Sequence, residues 1–390
     1  MRLAYLDPHA VPDDCPEALQ ILYTVDALGD IGVDVDLVTP KPRRAIAAEN
    51  ILGHPLSARV KLHHLPDPRR RWWFPSASNK PFYFLASRLL RRLRADVVLV
   101  RNLKMAEYLI HKVPRSEFVF ETHEIFAQTY REDHPTPTVR EQLKLQALEQ
   151  REALVYRRAA GLLALTPLLI EDIRAQYHIE TPAIVVPDGV DLAQAKNVTD
   201  EAASGVPILL YLGSLHPWKG VDTLISAMQY VTRPSRLVIV GGSQERIGEL
   251  RAQAQSQGID ERVNFIGAVE PGRRFEWIHR ADICLLPLTP TSIGSRYTSP
   301  LKLFEYMAAG KPIVVSDLPS MRAVLDPDRH ALLVKNGDAS AFAAAIDSLL
   351  EDKTLQRRLG EAALARAGEF SWRKRAERIA AFLESLQRTR

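Results

Sequence analysis

With 390 residues, 46% of them apolar and 25% charged, the chain reads as an ordinary soluble globular protein, long enough for two or three cores. A net charge of +4 is too small to argue for nucleic acid, and two distant cysteines, Cys15 and Cys284, form neither a disulfide framework nor a metal set and suit a reducing cytoplasm. The opening MRLAYLDPHA meets aspartate and proline without a long apolar run, so no signal peptide is expected, and no segment is apolar over the length that a bilayer requires.

Arg2 to Leu6 reads as a short strand, and the loop DPHAVPDDCP leads into a helix with Leu19, Leu22, Val25 and Leu28 at helical spacing. Val33 to Val38 then alternates apolar and acidic residues, which predicts a strand with Asp34 and Asp36 on a solvated face. The literal Asp-x-Asp is therefore read as surface, and not as the metal-binding pair of some sugar-nucleotide enzymes.

From Arg59 to Arg94, ten basic residues stand against one acid, Asp67, with aromatic residues between them. A helix starting near Pro81 would place Phe82, Leu85, Ala86, Leu89 and Leu93 on one face and Arg88, Arg91 and Arg92 away from it. One reading is a core helix with a solvated basic back. The other is a surface for an anionic membrane, with Arg70, Arg71, Trp72, Trp73 and Phe74 as an interfacial anchor and about 1 kcal/mol from each basic residue. Single-stranded nucleic acid also suits arginines among aromatics, but no recognition motif accompanies them, so no nucleic-acid partner is expected.

Asp96 to Arg101 and Phe118 to Phe120 are continuous apolar runs, the pattern of parallel strands covered on both faces. The second ends in Glu121-Thr122-His123-Glu124, and doubly wound sheets collect ligands at such strand ends, so His123 is a candidate functional residue as well as a candidate structural one. A long polar helix from Pro137 to Ala159 and strands at Gly161 to Leu165 and Ala183 to Val186 complete a first domain, taken as residues 1–187. The alternation then restarts over residues 188–370. Strands are predicted at Pro207 to Leu212, Leu237 to Val240, Val263 to Ile266 and Ile283 to Leu286, and the glycine-bounded loop Gly213 to Gly220 puts Lys219 just before the helix Val221 to Val231. The tail from Ser371 is a basic amphipathic helix.

The segment GSRYTSPLKLFEYMAAGKPIVVS, Gly294 to Ser316, carries the most chemistry. Ser299 is the expected N-cap and Pro300 the first residue of a helix that ends at Gly310, followed by a buried strand. Lys302 falls in the first turn, where the helix dipole is positive, an unfavourable place unless an anion binds there or the side chain swings to solvent. Glu305, one turn on, has the acceptor oxygens to hold the vicinal hydroxyls of a ribose.

These motifs, with GSLHPWKGVDTLI at Gly213 to Ile225, LVIVGG at Leu237 to Gly242, VNFIGAV at Val263 to Val269, ADICLLP at Ala281 to Pro287 and VVPDGVD at Val185 to Asp191, resemble the retaining, metal-independent family 4 glycosyltransferases. The resemblance implies an α/β chain with the GT-B fold: two Rossmann-like doubly wound domains facing across a cleft, with a final helix, about 371–390, packing back on the first. The acceptor would lie mainly on the first domain and a UDP- or GDP-sugar donor on the second, with no metal and no further cofactor. By the same resemblance Lys219, Ser214, Leu301 and Lys302 meet the donor phosphates, Glu305 the ribose, Gly267 to Val269 the base, and Tyr297, Thr298 and Ser299 the sugar. His123 would face the transferred sugar, which makes His123, Lys219 and Glu305 the catalytic set. The sequence departs from the pattern at Tyr297, where the family has the first of two glutamates, at Ser214, often an arginine, and in the loop after the first strand. The implied activity is transfer of a sugar to a glycan or lipid-linked acceptor; cysteine usage points to the cytoplasm, and the membrane reading of the basic aromatic segment would put the protein at the inner face of the membrane. A GT-B phosphorylase, a sugar-nucleotide epimerase and a non-catalytic sugar-nucleotide-binding protein are the alternatives.

Overall fold

Strands that are apolar at every position need cover on both faces, and this chain supplies it twice. In a computed structural model, which describes residues 1–43, 46–70, 78–114, 117–196 and 205–388, the chain divides into two units, Met1–Pro187 with Trp372–Arg390, and Asp188–Ser371.

The first unit is built on seven parallel strands: β1 (Arg2–Leu6), β2 (Asp34–Pro40), β3 (Val60–Leu65), β4 (Val97–Val100), β5 (Phe118–Thr122), β6 (Gly161–Ala164) and β7 (Ala183–Val185), in the order β3-β2-β1-β4-β5-β6-β7. The order reverses between β1 and β4, which pair from Leu3 with Val97 to Leu6 with Val100. A crevice therefore opens beyond the carboxyl ends of these two strands, where helices leave to opposite faces of the sheet. The tail helix Trp372–Arg388 belongs to this unit, with Trp372 stacked on Tyr23 at 5.2 Å.

The second unit has six parallel strands: β8 (Ile208–Leu212), β9 (Arg236–Val240), β10 (Val263–Gly267), β11 (Ile283–Leu286), β12 (Ile313–Ser316) and β13 (Leu332–Val334), in the order β10-β9-β8-β11-β12-β13. Alternate residues serve two cores. Leu210, Val238, Val240, Cys284 and Leu286 face one, and Leu209, Tyr211, Leu237, Ile239 and Leu285 the other, which is why these strands read as unbroken apolar runs. Here the order reverses between β8 and β11.

Three sequence expectations are corrected. Asp36 is not solvated: it is 2% exposed, held at 2.7 Å by both Arg2 Nε and His63 Nε2, because β2 is covered on both faces while its amino end stays open at Asp34. The helix Lys80–Leu93 buries Phe82, Tyr83, Ala86, Ser87, Leu90 and Leu93, with Leu85 and Leu89 only half-buried. The Tyr83 hydroxyl donates to Asn102 Oδ1 at 3.0 Å and its ring packs on Tyr108, which turns that face of the helix inward. The third correction is the cap of the helix Leu301–Ala308. Pro300 occupies the cap position with no side-chain bond, and the Ser299 hydroxyl accepts instead from the Asp188 amide at 2.9 Å.

Residues 71–77, and with them Arg71, Trp72, Trp73 and Phe74, lie outside the described residues, as does the side chain of Arg70. Among the described residues no helix is long and apolar enough to cross a membrane.

Candidate functional site

In the second unit the carboxyl ends of β8, β9 and β10 meet through their backbones. Gly213 N donates to Val240 O at 2.8 Å and Gly241 N to Gly267 O at 2.7 Å, so the loop after β8 and the position assigned to a base, Gly267, share one edge. Val269, two residues on, packs partly buried against the core. Gly213, at φ 144°, is needed as glycine: a Cβ there would stand 2.2 Å from Lys302 Nζ.

That space is where Lys302 lies. The helix Leu301–Ala308 follows β11 and has no side chain on its first amides; Leu303 N donates to Pro300 O at 2.9 Å, which leaves those of Leu301 and Lys302 to another acceptor. It is anchored by the Tyr306 hydroxyl, which accepts from Leu212 N at 2.9 Å at the end of β8. One turn earlier Lys302, 8% exposed, reaches the same strand end. Its Nζ donates to the Tyr211 hydroxyl at 3.2 Å, and that hydroxyl donates in turn to Ser214 O at 2.7 Å. Among the described residues no carboxylate lies within ion-pair distance of Lys302. Burial pushes its ammonium down to about 8, against the opposing pull of Glu305. A buried cation with one neutral acceptor for three N–H donors is an anion site in electrostatic terms.

Lys219 closes the single turn Pro217–Lys219 with its ammonium 3.4 Å from the centre of the Trp218 ring. The turn is fixed from the other side of the switch point: Thr289 N donates to Trp218 O at 3.0 Å, and a Cβ on Gly220 would stand 1.8 Å from Pro287 O. Glu305 is committed to a partner that sequence reading missed, Arg274, whose Nε lies 2.6 Å from Glu305 Oε1, both side chains about nine-tenths buried. Arg274 also donates to Pro271 O at 2.6 Å and to Gln194 Oε1 at 2.9 Å. No motif announces it; a basic residue opening the helix after β10 is the one trace in the sequence. Ser214 is exposed. Tyr297, Thr298 and Ser299 are all buried, with Tyr297 ending a π-type turn over Ile293–Tyr297, a geometry that recurs at functional sites.

In the first unit His123 follows β5 directly. Its Nε2 lies 3.0 Å from Glu121 Oε1 and its Nδ1 3.0 Å from an Arg101 guanidinium nitrogen. Arginine only donates, so Nδ1 accepts and Nε2 carries the proton that Glu121 receives. Burial, reinforced by Arg101, pushes the imidazole down to about 4, so the ring is neutral and both nitrogens are engaged. Such a histidine does not act as a base while both bonds hold. Glu121, fully buried, also accepts from Gln20 Nε2 at 2.7 Å, from Tyr5 at 3.1 Å and from Arg375 of the tail helix. Arg375 adds bonds to Thr24 Oγ1 at 3.1 Å and to the Pro187 and Val186 carbonyls. The far side of His123 and Arg101 borders a cavity of about 350 Å³, reached also by Asp7 and by Lys104.

The family described as glycosyltransferase family 4 matches residues 19–194, and that described as glycosyl transferases group 1 matches residues 206–352. A D-inositol 3-phosphate glycosyltransferase of Xylanimonas cellulosilytica is 30% identical over 238 residues, 57% of this chain and 56% of that protein. A phosphatidyl-myo-inositol mannosyltransferase of Mycobacterium leprae is 30% identical over 230 residues, 56% of this chain and 59% of that protein. The chain thus spans little more than half the length of the curated relatives it matches. In structure, a sucrose-phosphate synthase of Thermosynechococcus elongatus superposes with a TM-score of 0.79 at 19% identity, over 100% of both chains. Anabaena HepE, solved with UDP and glucose, superposes with a TM-score of 0.77 at 16% identity, over 99% of this chain and 100% of that one.

Proposed function

Because the chain belongs to the group 1 glycosyltransferases of the GT-B fold, we propose that it moves a sugar from a nucleoside-diphosphate sugar, UDP- or GDP-linked, to a hydroxyl of a glycan or lipid-linked acceptor. Lys302 carries this reading. Its buried ammonium, held against Gly213 at the start of an uncapped helix, lacks the negative partner that a diphosphate supplies.

As the bond from the sugar to the diphosphate breaks, negative charge grows on the departing phosphate. Lys302, the first amides of Leu301–Ala308 and Lys219 stand ready to stabilise it without moving, the arrangement that contributes most to such steps. These cations and amides take the part that a divalent ion plays elsewhere, so transfer would proceed with no metal and no further cofactor. The acceptor hydroxyl would attack on the face that the diphosphate leaves, with retention, and pass its proton to the departing phosphate. His123, neutral and fixed by Glu121 and Arg101, would position the sugar and not deprotonate the acceptor. Glu305 would hold the ribose while its other oxygen stays on Arg274.

Calorimetry with UDP- and GDP-sugars in EDTA, on the wild type and on Lys302→Met, tests the reading. It predicts binding of one donor without metal and its loss in the variant; equal binding by both proteins would refute it. Donor binding with no turnover on any acceptor would favour a binding protein over an enzyme. A peripheral site at the inner face of the membrane is proposed on the half-exposed Phe84 and the exposed Arg88, Arg91 and Arg92 of one helix. Flotation with anionic vesicles that survives Arg88→Glu with Arg91→Glu and persists at high salt would count against that surface.

A further inference from the structure

Glu121 lies behind His123 in β5, fully buried, and every group bonded to its carboxylate among the described residues is a donor. Its Oε2 accepts from the Tyr5 hydroxyl at 3.1 Å. Its Oε1 accepts from Gln20 Nε2 at 2.7 Å, from His123 Nε2 at 3.0 Å and from the Arg375 guanidinium. A carboxyl group that receives four donors and donates to none is ionised. Burial alone would raise its pKa; Arg375, the one charged group among the four, and then His123 hold it well below the usual carboxylate range.

Two chains of hydrogen bonds run into that carboxylate from Arg101, and both point the same way. Arg101 donates to His123 Nδ1 at 3.0 Å, and His123 Nε2–H donates to Glu121. Arg101 also donates to Gln20 Oε1 at 3.0 Å, and the Gln20 amide donates to Glu121. The sense of each chain is fixed at both ends, by a guanidinium that only donates and an ionised carboxylate that only accepts. A neutral Glu121 would bring a proton of its own. His123 would then turn its acceptor nitrogen to Glu121 and its N–H toward Arg101, donor against donor, and the ring would leave its place. The charge that prevents this comes from the tail helix, 254 residues beyond Glu121. Arg375 is itself held still, by Thr24 Oγ1 at 3.1 Å and by the carbonyls of Val186 and Pro187.

We propose that Arg375 is a positioning residue for sugar transfer: by keeping Glu121 ionised it fixes the tautomer and orientation of His123, and through His123 the place of the sugar. The word transfer rests on the glycosyltransferase reading, and the effect on His123 on these bonds alone.

The test compares the full-length wild type with Arg375→Lys, Arg375→Met and the pair Arg375→Met with Glu121→Gln. The pair removes both members of the buried ion pair, so chemical denaturation should show it recovering the stability that Arg375→Met loses. An amide at position 121 offers either its oxygen or its N–H, so the pair still fails to fix the ring. Nitrogen-15 spectra of the histidine-labelled chain read this directly, with the His123 signal assigned by its loss in His123→Gln. Near neutral pH the wild type and Arg375→Lys should show Nε2 protonated and Nδ1 bare, a signature that Arg375→Met and the pair should lose. Release of UDP or GDP from a UDP- or GDP-sugar should follow the spectra. In both Arg375→Met and the pair, kcat should fall by about ten- to a hundredfold with the donor KM unchanged. A purely structural Arg375 predicts instead that the pair regains activity together with stability. Recovery of kcat in the pair, or an unchanged His123 signature in either variant, would overturn the proposal. If the wild type releases no nucleoside diphosphate while the His123 signature still follows Arg375, the glycosyltransferase reading fails and the positioning of His123 stands.

Discussion

Two buried long cations, Arg375 in the first unit and Lys302 in the second, are treated in opposite ways. Arg375, 2% exposed in the first unit, meets Glu121, Thr24 and two backbone carbonyls. Lys302, 8% exposed in the second, meets one tyrosine hydroxyl. A cation whose donors are satisfied and whose charge is balanced holds structure together; one that lacks both is a place for a ligand. The difference separates a residue that fastens the tail helix to the sheet from one that we propose takes the donor phosphate.

The largest effect that would break this contrast is on stability. Arg375→Ala leaves Glu121 buried without its main counter-charge, and chemical denaturation should show a loss of about 3–5 kcal/mol. Lys302→Met, by contrast, removes an unbalanced buried charge, so the melting temperature should hold or rise while donor affinity falls by about a hundredfold. If Lys302→Met were the destabilised variant, the two cations would have been assigned the wrong way round.

The third effect is pH. The Lys302 ammonium, brought from its ordinary 10.5 down to about 8, is charged below pH 8 and neutral above it. Donor affinity measured by calorimetry should therefore fall as pH rises past about 8, by at most about tenfold per unit, and the fall should be absent in Lys302→Met. The sign for stability is the reverse. Between pH 8 and 10.5 the unfolded chain binds the extra proton, so stability relative to Lys302→Met should increase with pH across that window. The smallest effect is expected at Ser214, exposed beside the same site, where Ser214→Arg adds a screened charge and should tighten donor binding by only about two- to fivefold.

Both cations show what the chain's order conveys and what it does not. Lys302 could be suspected from sequence because a lysine in a first helical turn is a local anomaly, visible within four residues. Lys104 presents the same anomaly after Asn102, yet it lacks the surrounding motif and passes unnoticed. Arg375 looks like one more charge on a basic amphipathic helix, since its partner Glu121 is 254 residues away. Arg274 escapes for the same reason, since its partner Glu305 lies on a different helix. The misreading of Asp36 has a related cause: alternation identifies two faces, but not whether a helix covers the second.

The sequence by itself determined the parallel strands, the glycine-bounded loops and the helix at Leu301, because period, caps and turn residues act over a few positions. It also carried the family, through motifs whose order the fold preserves. The tertiary structure decided what each charged side chain faces. It gave Glu121 three hydrogen-bonding neighbours and a guanidinium, left Asp7 Oδ2 with no partner among the described residues, and pressed Lys302 into the space of a missing Cβ at Gly213. Those outcomes depend on desolvation and on contacts between residues far apart in the chain, and neither is written in local spacing.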